Sequence, residues 1–183
     1  MAKGALFFIL AMGIAAGPLE AAGGGKHLDV FISRQELVVS RAGKPLKSYT
    51  VSTSRFGTGN LLDSNRTPLG RHRIARKIGA GAPPNTIFRN RINTGTVSAI
   101  NRSAAALADD RITSRILWLE GLEPGVNRGG RVDSYRRQIY IHGTADEGLI
   151  GRPASHGCVR MRNADIIQLF DWAEVGTTVT IHP

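Results

Sequence analysis

Apolar residues in this chain come in short runs, and turn residues cut nearly every run before it reaches helical length. The segments 27–33 and 35–40 are rich in Val, Ile, Leu and Phe and are separated by a polar break at Ser33-Arg34. Arg41-Ala42-Gly43-Lys44 has the make-up of a hairpin turn, and 45–52 reads as the strand that follows it. Thr67-Pro68-Leu69-Gly70 is turn chemistry ahead of a basic strand at 71–75. Further short strands are expected at 116–119, 138–142 and 177–181. Only 164–174 carries a helical stripe, formed by Ile166, Ile167, Leu169, Phe170 and Ala173. Asn163 is placed to cap it and Gly176 to close it. The expected fold class is therefore mainly β with one or two helices, an α+β domain.

Residues 76–115 are the hardest to assign. Gly79, Gly81, Pro83, Pro84 and Gly95 interrupt the stretch, and Arg89, Arg91 and Arg102 lie between them. It reads either as a surface excursion with little regular structure or as a flap over a site, with a short helix expected at 104–110.

At 183 residues the chain fits one domain and a short leader. Residues 1–22 read as a secretory signal peptide. Lys3 supplies the positive end, 5–16 the apolar run, Gly17-Pro18 the break, and Ala21, Ala22 and Gly23 the small residues after it. The apolar run is short for a bilayer span, so no stable membrane span is expected once the leader is cleaved. An uncleaved anchor is the competing reading. Gly23-Gly24-Gly25 would join the leader to a domain over 26–183. The formal net charge is +10, and Arg far outnumbers Lys. Such a surface suits anionic partners: nucleic acid, a membrane, or an acidic polymer such as cell wall. Aromatic residues are 6% of the chain, too few for recognition of single strands by stacking, and nucleic acid is not expected as a partner.

The one cysteine, Cys158, lies in Ser155-His156-Gly157-Cys158, and a second histidine ends the apolar run at Ile141-His142-Gly143. The loop between them holds Gly148, Gly151 and Pro153. Two strands joined by that loop would bring His142 and Cys158 to one rim. A thiolate is the reactive form of cysteine, and an imidazole beside it takes its proton and later returns it to a leaving amine. The amides of Gly157 and Cys158 would then be donors to a developing oxyanion. Arg160 would share the face of Cys158 on a strand and could hold a substrate carboxylate in a forked pair. Two other readings stay open on the residues alone. Cys158 is a small buried hydrophobe in one, and His142, His156 and Cys158 are zinc ligands in the other.

The stretch from Ile141-His142-Gly143-Thr144 through Ser155-His156-Gly157-Cys158-Val159-Arg160-Met161 resembles the active-site signature of L,D-transpeptidase catalytic domains of the YkuD type. The similarity extends to Ser48-Tyr49-Thr50-Val51-Ser52-Thr53, to Thr67-Pro68-Leu69-Gly70, to the helix at 164–174 and to the closing strand. The stretch 76–134 departs from it, being longer and richer in Arg than a minimal domain needs. The resemblance implies a β-sandwich-like catalytic domain without a metal or other cofactor. It implies Cys158 as nucleophile, His142 as proton donor and acceptor, and the Gly143 carbonyl as the group orienting the imidazole. His156 and Gly157 would shape the site, and Arg160 and Ser155 would contact substrate. The implied partners are peptidoglycan stem peptides, as acyl donor and acceptor, and carbapenem inhibitors. The implied location is outside the cytoplasm, in the periplasm or cell wall of a bacterium. A carboxypeptidase or other hydrolase on the same fold is the nearest alternative. A non-catalytic basic module that binds wall polymer is a more distant one.

Overall fold

The computed structural model describes Met1, residues 25–107 and residues 109–183; the expected leader at 1–22 lies outside the described residues, apart from Met1. The first three strands form an antiparallel meander: β1 (Lys26–Phe31), β2 (Glu36–Arg41) and β3 (Lys44–Thr50). In β1 and β2, alternate side chains are buried (Leu28 and Val30; Leu37 and Val39), so one face of the meander is a core face. The last strand, β10 (Thr178–His182), lies parallel to β1. Beyond it come β4 (Gly70–Ile78) and then β7 (Ile112–Gly121), both antiparallel to their predecessors. On the far edge of β7 lie β8 (Tyr140–Thr144), antiparallel to β7, and β9 (Val159–Met161), parallel to β8.

The sheet curls back on itself. Ser52, just past β3, pairs with Arg160 of β9 through two reciprocal backbone hydrogen bonds of 2.9 and 2.8 Å. The rolled sheet encloses one main core of Leu28, Val30, Leu37, Ile74, Leu117, Leu119, Ile141, Val159, Met161, Val179 and Ile181 among others. The helix α1 (Asn163–Trp172) sets Ile166, Leu169 and Phe170 into this core, at about 1.5–3 kcal/mol for each side chain fully withdrawn from water. Lys77 donates to the otherwise unpaired carbonyls of Phe170 and Ala173 at its end. The expectation of a mainly β fold with one helix is met.

Three local expectations are corrected. The stretch 76–115 holds regular structure between its loops: β4 runs to Ile78, and the hairpin β5 (Thr86–Arg89) and β6 (Ile92–Val97) pairs through β5 with the first part of β7. No helix forms among the described residues of 104–110, whose chain runs as bends and coil. Asn163 does not cap α1. Arg162 occupies the cap position without a side-chain bond, and the Asn163 amide is buried instead between β7 and β8. A second apolar cluster, Phe88, Ile116, Trp118 and Tyr140, lies on the opposite side of β7 and β8, with Cys158 packed at its margin. That outer face carries the site.

Candidate active site

Alternation along two neighbouring parallel strands collects the site. In β8 and β9, Ile141, Val159 and Met161 point into the main core. Their neighbours therefore point the other way: His142 on β8, and Cys158 and Arg160 around the start of β9. The register pairs His142 with Arg160 and Ile141 with Val159, so one step further Cys158 falls beside Tyr140. A strand spacing of ~4.8 Å and a rise of ~3.3 Å per residue then separate the Cα atoms of His142 and Cys158 by about 8 Å on one face, within reach of an imidazole and a thiol.

Each side chain has a local reason for its place. A Cβ added to Gly143 would fall 2.6 Å from the Thr113 carbonyl oxygen and 2.8 Å from Asn163 Oδ1, so only glycine lets β8 close against β7 and α1 there. The Gly143 carbonyl accepts a 2.8 Å hydrogen bond from His142 Nδ1. A carbonyl only accepts, so Nδ1 carries the proton and Nε2 is the basic nitrogen. Gly157 has φ +122°, a conformation that a side chain at this position would strain. The loop holding it is bound to the segment after β3. Ala154 and Ser155 donate backbone N–H bonds to the Thr53 carbonyl at 2.8 and 2.9 Å, and Arg55 N–H donates to the Ser155 carbonyl at 3.1 Å.

Ser155 is buried, and its hydroxyl donates to the Cys158 carbonyl at 2.6 Å and accepts from Gly157 N–H at 3.2 Å. In this state the Ser155 hydroxyl and the Gly157 amide are both engaged within the turn. Arg160 is also buried. One of its nitrogens, Nη2, is paired with Asp110, while Nε and Nη1 have no partner among the described residues. His156 is largely exposed, stacks obliquely on Phe56, and lies between Asp110 (Nδ1, 3.1 Å) and Arg55 (Nε2, 2.7 Å). Among the described residues no group of three His, Cys, Asp or Glu side chains is placed to hold a metal ion.

The resting site is uncharged at its centre. Burial pushes the Cys158 thiol up to about 11, against the pull of the Tyr140 N–H and of the Arg160 and Arg137 guanidinium groups. Burial pushes His142 down to about 4, although Asp110 and the Gly143 carbonyl oppose it. The thiol donates weakly to the Gln138 carbonyl at 3.5 Å, and Tyr140 N–H points at the sulfur from 3.4 Å. Near neutral pH the pair is thus thiol and imidazole. Burial would raise Asp110 too, but Arg160, His142 and the bond from His156 outweigh it and keep its carboxyl below the usual range.

Two clefts flank this centre. One of about 240 Å³ lies between Asp63, Asn65, Arg137, Gln138 and His156. Another of about 370 Å³ lies beyond Asp110, against Phe88, Arg89 and Asn90 of the β5–β6 hairpin. Three residues of this neighbourhood were not singled out from the sequence: Asp110, Arg55 and Arg137. Asp110 and Arg55 are far from Cys158 along the chain and sit in irregular segments, so no spacing rule points to them.

A family model of the L,D-transpeptidase catalytic domain, of the YkuD type, matches residues 25–181. The chain belongs to this family. The putative L,D-transpeptidase YkuD of Bacillus subtilis is 43% identical over 61 residues, which is 31% of this chain and 37% of that protein. An L,D-transpeptidase from Mycobacterium smegmatis has the same fold, with a TM-score of 0.52 at 17% identity over 87% of this chain and 59% of the other. L,D-transpeptidase 3 of Mycobacterium tuberculosis, solved in complex with a faropenem-derived adduct, has a TM-score of 0.53 at 14% identity over 87% and 60%. The chain spans less than two thirds of the length of these relatives. Its fold is that of an L,D-transpeptidase catalytic domain, and the match over 25–181 takes in the helix and every strand but the last residue of β10.

Proposed function

We propose that this chain is an exported L,D-transpeptidase that acylates itself at Cys158 with a peptidoglycan stem peptide and passes the acyl group to an amine. The observation that carries the reading is the shared face of His142 and Cys158 on parallel strands, with the His142 tautomer fixed by the Gly143 carbonyl. Family membership supports the reaction class.

In this mechanism Cys158 Sγ attacks the carbonyl of the third stem residue while its proton moves to His142 Nε2. The imidazolium returns that proton to the nitrogen of the terminal D-Ala. The C–N bond breaks, D-Ala leaves, and a thioester remains. An amine from a second stem then attacks the thioester and gives up a proton through His142, and the S–C bond breaks to restore the thiol. Because both groups are neutral at rest, proton transfer accompanies attack instead of preceding it. Positive charge from Arg137 and Arg160 near the sulfur stabilises the thiolate character that develops. Carbapenems fit the same chemistry: one structurally similar L,D-transpeptidase is solved in complex with imipenem, and the mycobacterial enzyme with an adduct of faropenem, a related β-lactam. The leader expected at 1–22 and the +10 charge support work at an anionic wall outside the cytoplasm.

The test is incubation of the purified chain with tetrapeptide stems that carry a free side-chain amine. Released D-Ala together with cross-linked dimers supports the transferase. Release of D-Ala with tripeptide alone assigns a hydrolase. No release by folded, reduced protein sinks the enzymatic reading.

A further inference from the structure

His156 and Arg160 stand two positions before and two positions after Cys158, and both are bound to a single atom. His156 Nδ1 and Arg160 Nη2 both donate to Oδ2 of Asp110, which lies on the segment leading into β7. We propose that Asp110 is a positioning residue for the Cys158 site, tying the two side chains that flank the thiol to one carboxylate and so fixing the thiol between them. The proposal rests on the reading of Cys158 as nucleophile.

Three observations support this role. The Arg160 side chain is only 3% exposed, and Asp110 is its one ion partner among the described residues. Its Nε and Nη1 are buried without acceptors, so the position of the whole guanidinium depends on that single pairing. His156 is held from both sides. Arg55 donates to Nε2, which leaves the proton on Nδ1, directed at Asp110. Asp110 itself is held by its neighbours in the chain. Leu107 N–H donates to both Asp146 oxygens, and Arg111 bonds Asp109 and Ser98 Oγ. The carboxylate is therefore carried on a braced segment, and its charge also faces His142, the register partner of Arg160.

Besides His142 on the same face, the groups that bear on the sulfur are the Tyr140 N–H on β8, Arg137 before it, Arg160 on β9 and Asp110. Of these, Asp110 and Arg160 also face His142. Removing the Asp110 charge alone lets the two guanidinium groups act on the thiol unopposed. The consequence is a variant whose thiol ionises more readily yet turns over more slowly, because its flanking arms are no longer held. Loss of packing alone would not produce that combination.

The experiment compares the wild-type chain with Asp110→Asn, Asp110→Glu and Asp110→Ala. It measures kcat and KM on a tetrapeptide donor and the pH dependence of Cys158 alkylation by iodoacetamide. For Asp110→Asn the expected result is a loss of kcat of roughly 10- to 100-fold with KM changed less than about threefold. Its alkylation midpoint should fall by about half a pH unit or more. Asp110→Glu, which keeps the charge on a longer arm, should recover part of kcat and keep the alkylation midpoint. An Asp110→Asn variant with wild-type kcat and an unmoved alkylation profile overturns the proposal. So does one that loses kcat in step with thermal stability while its alkylation profile stays put. If Asp110→Asn and Asp110→Ala do not fold, the proposal stands or falls on Asp110→Glu: an unchanged kcat in that variant overturns it. A wild-type chain that neither releases D-Ala nor acylates at Cys158 fails the reading of the site itself, which separates the two outcomes.

Discussion

Cys158 is protonated at rest because its sulfur lies at the margin of an apolar cluster, where a thiolate would lose water. This has a direct chemical signature. Alkylation of Cys158 by iodoacetamide should rise about tenfold per pH unit between pH 7 and 10, with no plateau below about pH 10. A plateau near neutral pH would mean a preformed thiolate–imidazolium pair and would contradict the neutral resting site. Gly143 is the second residue whose substitution is informative. Gly143→Ala forces a methyl group against the Thr113 carbonyl and Asn163, and should cost about 1–3 kcal/mol in a denaturant titration. It should also move the carbonyl that orients His142, so activity should fall further than stability accounts for. A Gly143→Ala variant of wild-type stability would show that the β7–β8 closure is looser than described.

The junction of α1 with β7 and β8 depends on one polar side chain. Asn163 Oδ1 accepts from Thr113 and Ser114 hydroxyls at 2.6 Å each, and its amide donates to the Thr144 carbonyl and Glu147 at 2.8 Å. Asn163→Leu would strand these buried groups and should destabilise the fold by about 2–4 kcal/mol, read from the urea midpoint. A shift below ~0.5 kcal/mol would contradict the network. The same residue marks a limit of sequence reading. Asn before an apolar stripe reads as a cap, and only the tertiary fold gives its amide better partners. β1, β2, β10 and α1 were legible because one face of each is buried, which imposes a period of two or of three to four. The β5–β6 hairpin was not. Every residue of β6 is exposed, so no apolar alternation marks it. Its turn puts Asn90 and Arg91 at φ 48° and 70°, where the usual signal is Asn-Gly. Cys158, His142 and Arg160 could be placed on one face from spacing and the expected strands. Asp110, 48 positions before Cys158, could not, since a loop residue acquires its neighbours only when the sheet has rolled up.

At the scale of the whole molecule, the rolled sheet buries a second neutral histidine away from the site. His72 on β4 is fully buried, bonded to the Gly70 carbonyl at 2.9 Å and to Ser134 Oγ at 3.0 Å. Burial lowers it from 6.5 to about 4. Between those values the unfolded chain binds a proton that the folded chain does not. Stability is therefore full above about pH 6.5 and falls as pH drops toward 4, by roughly 3 kcal/mol from this residue. Urea midpoints at pH 7 and pH 4.5 should differ accordingly, and His72→Gln should shrink the difference; equal midpoints in the wild-type chain would contradict it. The central claim is that Cys158 becomes the acyl carrier. Its most direct test is intact mass and peptide mapping after incubation with a carbapenem. The account predicts a single adduct on the peptide containing Cys158, absent in Cys158→Ser. An unmodified wild-type chain, or an adduct that survives in Cys158→Ser, would contradict it.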